Sequence, residues 1–325
     1  MISLRYWLRL ARLFLHYRQR ASVLSCLPAR LWIEPTNLCN YNCLMCPNSL
    51  LPKKDCGFMD LDLYKKIIDD VQGNIWEINL AHRGESFLHP ELLEMILYAK
   101  DKNLSIRLHT NGSLVTEEIS HRLIKTGLDR LSFSFDGYDR KTYEKIRKGG
   151  DFQKTTANIV RFLEIKKAAQ AKKPKVAIEC IDFGPEKQDD QTAKKEKFSS
   201  LFRDLPLERL VIKPVHNWAG NINVNGNNRG QVLCPLPWNA LTVFWSGDVL
   251  PCPQDFFGRY VLGNIKESSL GDIWNSERMV ALRRGLANQD LKNLPSCSQC
   301  DHLSRRGFLG VPQDYLWRFI TRRMT

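Results

Sequence analysis

The sequence predicts an α/β fold, a parallel sheet or barrel followed by a small second domain. Six short apolar or β-branched runs, at 31–34, 76–81, 105–109, 130–135, 175–181 and 208–213, alternate with helical patterns near 60–71, 90–102, 116–126, 139–172 and 192–203. Repeated strand-then-helix units pair their strands in parallel. A composition shift follows at 214–231, where Asn217-Trp-Ala-Gly-Asn-Ile-Asn-Val-Asn-Gly-Asn-Asn228 reads as an irregular loop. Beyond it, 240–245 and 249–250 flank Ser246-Gly-Asp248, a hairpin signal, and a helical pattern near 270–286 leads to Cys297 and Cys300. Parallel α/β folds keep their chemistry at the carboxyl ends of the strands, so motifs there come first.

The elements divide the chain into a basic lead (1–30), a strand–helix core (31–213), a linker loop (214–231), a small domain (232–302) and a basic tail (303–325). In the lead, Arg5, Arg9, Arg12, His16 and Arg20 recur at spacings of three and four, and Leu4, Trp7, Leu8, Ala11, Phe14 and Leu15 form the expected apolar stripe of an amphipathic helix. Arg12 and Arg18 interrupt the apolar runs, so neither a membrane span nor a signal segment fits, and a cytosolic enzyme is expected. Such a helix either packs on the body or lies on an anionic membrane, and the tail segment 315–324 repeats its aromatic, apolar and basic mixture. The small domain is poor in apolar residues and calls for a staple.

The composition, 43% hydrophobic and 26% charged, excludes disorder for most of the 325 residues. A formal charge of +13 first suggests a nucleic-acid partner. The lead, however, has six arginines and no acid, and the tail has five arginines against Asp314, so ten of those thirteen charges lie at the ends. Nucleic acid is not an expected partner of the body.

Ten cysteines stand at 26, 39, 43, 46, 56, 180, 234, 252, 297 and 300. In a reducing compartment, clustered thiols more often hold metal than form disulfides. Cys39-Asn-Tyr-Asn-Cys43-Leu-Met-Cys46 follows the first strand, so one loop delivers three thiolates and leaves a metal site with an open position, as catalysis requires. Cys234, Cys252, Cys297 and Cys300 in the small domain suit either a structural zinc or a fully ligated 4Fe-4S cluster.

The Cys-x3-Cys-x2-Cys loop after the first strand of a βα chain resembles the radical S-adenosylmethionine (SAM) superfamily. Met45 stands where members usually carry an aromatic residue. His82-Arg83-Gly84-Glu85-Ser86 after the second strand resembles the family's Gly-Gly-Glu motif, with Arg83 and Ser86 departing from it. Cys234-Pro-Leu-Pro-Trp238, Cys252-Pro-Gln-Asp255 and Cys297-Ser-Gln-Cys300 resemble the SPASM and twitch domains attached to many members.

The resemblance implies a partial (β/α)6 TIM-like barrel followed by a SPASM/twitch domain. It further implies a SAM-binding 4Fe-4S cluster on Cys39, Cys43 and Cys46, and one auxiliary 4Fe-4S cluster on Cys234, Cys252, Cys297 and Cys300. Gly84 and Glu85 then receive the methionine ammonium, and Thr110, Asn111, Ser134 and Asp136 approach the rest of the cofactor. Reductive cleavage of SAM to methionine and a 5'-deoxyadenosyl radical is the implied activity, with reduced flavodoxin or ferredoxin as electron donor. Amino-sugar dehydrogenases with a similar spacing oxidise a secondary alcohol, which makes a two-electron oxidation of a sugar or amino sugar the leading expectation.

Two alternatives stand beside it, modification of a peptide or protein side chain and a non-catalytic, zinc-containing adaptor for nucleic acid or membrane. Substrate-contact candidates at strand ends are Arg83, His109, His216 and Trp218, and candidates for a proton acceptor are Arg83, Glu179 and His216. Lys172, Lys173 and Lys175 read as a solvated face.

Overall fold

The computed structural model describes residues 4–182, 188–223, 231–313 and 315–316. The chain divides into two compact units, a core unit of Ile33–Ile68 and Glu77–Val215 and a terminal unit of Met1–Trp32, Asp69–Trp76 and His216–Thr325. It opens with α1 (Leu4–Arg18) and β1 (Arg30–Ile33) and continues through α2 (Leu61–Val71), β2 (Glu77–Leu80), α3 (Leu92–Asp101), β3 (Ser105–Thr110) and α4 (Glu117–Lys125). Then come β4 (Arg130–Ser134), α5 (Arg140–Ile146), α6 (Phe152–Ala168), β5 (Lys175–Asp182), α7 (Gln188–Ser200) and β6 (Arg209–Pro214).

All six expected strands form, and each of the first five is followed by the helical segment that the pattern anticipates. The expected helical stretch 139–172 is two helices. Gly149 takes a φ of 92°, and Asp151 caps the second helix by accepting the Lys154 N–H at 2.9 Å. Thr116 and Asp139 cap α4 and α5 in the same way, at 3.2 and 3.0 Å.

In the core unit, β2 to β6 lie side by side in chain order and all parallel. Side chains alternate across such a sheet. Ile78, Ile106, Leu108, Leu131, Phe133, Val176 and Ile178 fall on one face and are fully buried. Asn79, Arg107, His109, Ser132, Ser134, Glu179 and Lys213 occupy the alternate positions, so the second face is polar. That polarity marks the face on which chemistry can occur.

The terminal unit carries an antiparallel set, β7 (Ala240–Val243), β8 (Asp248–Leu250) and β9 (Gly263–Asn264), with Gly247 at a φ of 96° in the first turn. Next come α8 (Leu270–Trp274), α9 (Glu277–Asn288), α10 (Pro295–Ser298) and a hairpin of β10 (Gly307–Phe308) and β11 (Val311–Pro312). Its core of Trp238, Phe256, Trp274, Met279 and Leu282 includes Leu13 and Tyr17 from α1. The Tyr17 hydroxyl donates to Leu233 O at 2.6 Å, the Trp238 indole to Ala21 O at 2.7 Å, and the Trp274 indole to Cys26 O at 2.9 Å. The N-terminal segment thus supplies core that residues 232–302 lack.

The expected apolar stripe of α1 needs correction. Tyr6, Leu10, Leu13 and Tyr17 are its buried positions, whereas Leu8 and Leu15 are 58% and 55% exposed. A buried tyrosine that finds an acceptor for its hydroxyl packs as well as leucine, so a stripe drawn without the tyrosines selects the wrong face. Part of the asparagine-rich loop (224–230) and part of the expected basic tail (314 and 317–325) lie outside the described residues. Among the described residues no helix is long and apolar enough to cross a membrane.

Candidate active site and candidate cluster centres

In the core unit, the loop carrying Cys39, Cys43 and Cys46 is held from several sides. Asn48 donates to Asn37 O at 2.7 Å and to Arg83 O at 2.9 Å, tying the loop to the end of β2. The Leu44 N–H donates to Ile146 O at 2.9 Å and the Asn42 N–H to Lys148 O at 2.8 Å, which fixes the backbone on both sides of Cys43. Burial pushes the Cys39 thiol up to about 12 and the Cys46 thiol up to about 11, and each feels the Cys43 thiol beside it. Neutral buried thiols that crowd one another become favourable thiolates once iron compensates their charge. The donor set therefore fits a three-thiolate cluster.

Gly84 and Glu85 join this loop to the strand ends. A Cβ on Gly84 would lie 2.4 Å from both Thr36 O and Leu38 O, so only glycine lets the β2 end approach the cysteine loop, where the Glu85 N–H donates to Leu38 O at 2.8 Å. The Glu85 carboxylate is buried and accepts from Asn111 N–H (2.7 Å), Thr110 hydroxyl (2.8 Å) and Phe87 N–H (3.2 Å). Burial raises its pKa, outweighing these three hydrogen bonds and the more distant pull of Arg147, all of which lower it. A buried carboxylate with only neutral donors fits a cationic ligand such as an ammonium. Asn111 donates to Asn40 Oδ1 at 2.8 Å, so the β3 end reaches into the cysteine motif as well.

The remaining sequence candidates separate. Ser134 stands opposite Glu179 in the β4–β5 register and is half-buried. Asp136 is fully buried and committed, receiving the Ile181 N–H at 2.6 Å and pairing with Arg147 at 2.7 Å. Arg83 is locked by two hydrogen bonds to Glu34, at 2.6 and 2.7 Å, with His82 Nδ1 3.3 Å from the same carboxylate. Burial opposes the charge on Glu34, but these hydrogen bonds outweigh it and bring its pKa down to about 2. A guanidinium so paired has no place to accept a proton.

On the polar face, His109 Nδ1 lies 3.5 Å from Glu179 Oε2, and Lys213 Nζ lies 2.6 Å from that same oxygen. Burial lowers the His109 pKa to about 4, so the ring is neutral at physiological pH. Burial alone would raise Glu179, but the cations Lys213, hydrogen-bonded to it, and Arg107 act against burial and the carboxyl is ionised.

In the terminal unit, Cys234, Cys252, Cys297 and Cys300 lie within electrostatic reach of one another. Burial raises the Cys252, Cys297 and Cys300 thiols, and Cys234 adds to the rise of each. Asp255 organises the site from a fully buried position, accepting the Tyr260 N–H at 2.8 Å, the Arg259 N–H at 3.0 Å and the Ser296 hydroxyl at 2.8 Å. His216 and Trp218 belong to this unit, their rings 4.2 Å apart, and Asn217 between them donates to Gln299 O at 2.6 Å beside Cys300. Cys26, Cys56 and Cys180 are free thiols outside both groups.

Sequence reasoning missed Asn48, Arg147, Asp255 and Ser296, whose roles depend on partners far along the chain or on backbone atoms. Asp255 alone carried a local signal, the Cys252-Pro-Gln-Asp255 run.

Residues 33–184 match the family model of the Radical SAM superfamily, and residues 234–301 match SPASM, an iron-sulfur cluster-binding domain. The tungsten-containing aldehyde ferredoxin oxidoreductase cofactor-modifying protein of Pyrococcus furiosus is 26% identical, over 83% of this chain and 86% of its own length. The S-adenosyl-L-methionine-dependent 2-deoxy-scyllo-inosamine dehydrogenase of Niallia circulans is 24% identical, over 84% of this chain and 92% of its own. Among solved structures, Streptococcus suis SuiB bound to the precursor peptide SuiA has a TM-score of 0.63 at 15% identity, covering 91% of this chain and 74% of that one. That likeness is one of fold.

Proposed function

The chain belongs to the Radical SAM superfamily, and on that premise we propose that it catalyses a two-electron oxidation of a small hydroxylated substrate, a sugar or amino sugar. It is an enzyme that uses S-adenosylmethionine, a SAM-binding 4Fe-4S cluster and an auxiliary iron-sulfur cluster. The zinc-adaptor alternative falls with these matches.

In this reading Cys39, Cys43 and Cys46 hold the first cluster, and Cys234, Cys252, Cys297 and Cys300 hold the second. Glu85, oriented by Thr110 and Asn111, receives the ammonium of SAM. When bound, the first cluster with SAM supplies a radical that removes a hydrogen atom, and the second supplies an acceptor for the electron left behind. His109 takes the hydroxyl proton, its ring neutral and its Nδ1 side facing the ionised Glu179, which stabilises the imidazolium that results. The neutral His109 beside Glu179 on the polar strand face is the observation that favours alcohol oxidation. Reduced flavodoxin or ferredoxin is the proposed electron donor.

The test is anaerobic incubation of reconstituted enzyme with dithionite, SAM and a panel of secondary alcohols that includes 2-deoxy-scyllo-inosamine, following ketone and 5'-deoxyadenosine. Ketone and 5'-deoxyadenosine in equal amounts support the oxidation. Turnover only with peptides would replace it by side-chain modification.

We further propose that the enzyme sits peripherally on an anionic membrane. Leu8, Arg12, Leu15 and Arg18 are exposed on α1, and Arg18 donates to Leu309 O at 2.9 Å, which joins the helix to a hairpin tip where Phe308 and Leu309 are also exposed. Flotation with anionic but not neutral liposomes, lost on Leu8→Glu/Leu15→Glu substitution, is the expected result; no flotation of the wild type contradicts it.

A further inference from the structure

Arg147 follows α5 and precedes Gly149 and Gly150, and its guanidinium is buried. Its Nη2 is 2.7 Å from Asp136 Oδ2, and its Nη1 reaches to 3.9 Å from Cys43 Sγ. Asp136 cannot swing away, because it also receives the Ile181 N–H at 2.6 Å. The backbone agrees with the side chain. Ile146 and Lys148 accept the N–H groups of Leu44 and Asn42, so Arg147 and Cys43 are the middle residues of two segments joined on either side. Gly150 N–H closes the turn on Arg147 O at 2.8 Å, and a Cβ on Gly149 would stand 3.3 Å from Asn40 O.

We propose that Arg147, held by Asp136, is a positioning residue that sets the reduction potential of the cluster carried by Cys39, Cys43 and Cys46. This rests on the assignment of those three thiols as its ligands. Reduction adds one negative charge to the cluster, and the guanidinium, with Nη2 on Asp136 and Nη1 toward Cys43, presents the positive end of its ion pair to that charge, which favours the reduced form. The clamp on the cysteine loop is made by main-chain hydrogen bonds, which any side chain at 147 would leave in place. The charge is therefore separable from the clamp, and a guanidinium pinned beside one ligand supplies what a loop-holding role does not need.

The experiment is an EPR-monitored redox titration of anaerobically reconstituted wild type, Arg147→Gln, Arg147→Lys and Cys43→Ala, with iron and sulfide measured on each sample. The first cluster's signal is identified by its change on adding SAM. Arg147→Gln should keep wild-type iron and sulfide but show a reduced-to-oxidised ratio about tenfold smaller at a fixed potential near the midpoint, a shift of about 59 mV for a one-electron couple. Arg147→Lys should restore most of that difference. An unchanged midpoint in Arg147→Gln overturns the proposal. So does an equal shift in Arg147→Lys, or loss of iron from both variants, since either assigns the residue to shape rather than charge. An undiminished SAM-sensitive signal in Cys43→Ala would instead overturn the ligand assignment beneath it.

Discussion

Replacing Glu85 by glutamine keeps the shape of the side chain and removes its charge. In the folded protein the carboxylate is buried and meets only neutral donors, the Asn111 and Phe87 N–H groups and the Thr110 hydroxyl. Burial has raised its pKa, so folding disfavours the ionised form. The sign follows: stability from this group is lost as pH rises through the raised pKa, and a neutral isostere relieves that cost. Against this, the new amide NH2 opposes one of the three donors, a loss of about 1 kcal/mol. The two effects oppose each other, so the ligand-free variant should unfold within about 1 kcal/mol of wild type. SAM binding should behave otherwise. A hydrogen bond from an ammonium to a charged acceptor contributes about 1.5–3 kcal/mol, so affinity should fall about 10- to 150-fold at roughly 1.4 kcal/mol per tenfold. Anaerobic calorimetric titration of reconstituted protein with SAM measures this. Affinity within about threefold of wild type, with unchanged iron content, would remove Glu85 from the ammonium site.

Other expectations bear on the same architecture. Gly84→Ala places a methyl 2.4 Å from two main-chain oxygens, and overpacking of this kind costs about 1–3 kcal/mol; a lower melting temperature and weaker SAM binding should appear together, and neither changing would mean that the close approach does not matter. Glu34→Gln leaves the Arg83 guanidinium buried without its carboxylate and should destabilise by about 3–5 kcal/mol, while Glu34→Leu/Arg83→Met together should recover much of it; strictly additive losses in denaturation would refute a coupled pair. His109, lowered to about 4, should titrate well below free histidine by NMR of ring-labelled protein. Because the unfolded chain protonates first, His109 costs stability as pH falls from 6.5 toward 4, and His109→Gln should soften that acid sensitivity; a ring titrating near 6.5 would contradict its role as a neutral proton acceptor.

The parts of the site that are local in sequence were the parts that could be read there. Cys39, Cys43 and Cys46 fall in one loop, and Glu85, Thr110 and Asn111 sit at the ends of strands whose period-two pattern is plain. Arg147 was not legible because its meaning comes from Cys43, 104 residues earlier, and from Asp136, which the sequence offered only as a cofactor contact. Arg83 looked like a free strand-end cation until Glu34, 49 residues away, was found to hold it. The buried face of α1 was misread because its tyrosines are satisfied by carbonyls elsewhere, Tyr17 by Leu233 O, and no periodicity reports such an acceptor. The split at Gly149 and Asp151 was lost inside a long helical pattern, although its cap lay in plain sequence.

The central claim, two iron-sulfur centres held by two separate cysteine sets, is tested most directly by metal stoichiometry. Iron, zinc and acid-labile sulfide should be measured on anaerobically prepared wild type, on Cys39→Ala/Cys43→Ala/Cys46→Ala and on Cys252→Ala/Cys297→Ala. The account predicts about eight irons and as many sulfides per chain in the wild type and about four of each in either variant. Zinc without sulfide in the wild type, or a full complement of iron after either set of substitutions, would contradict it.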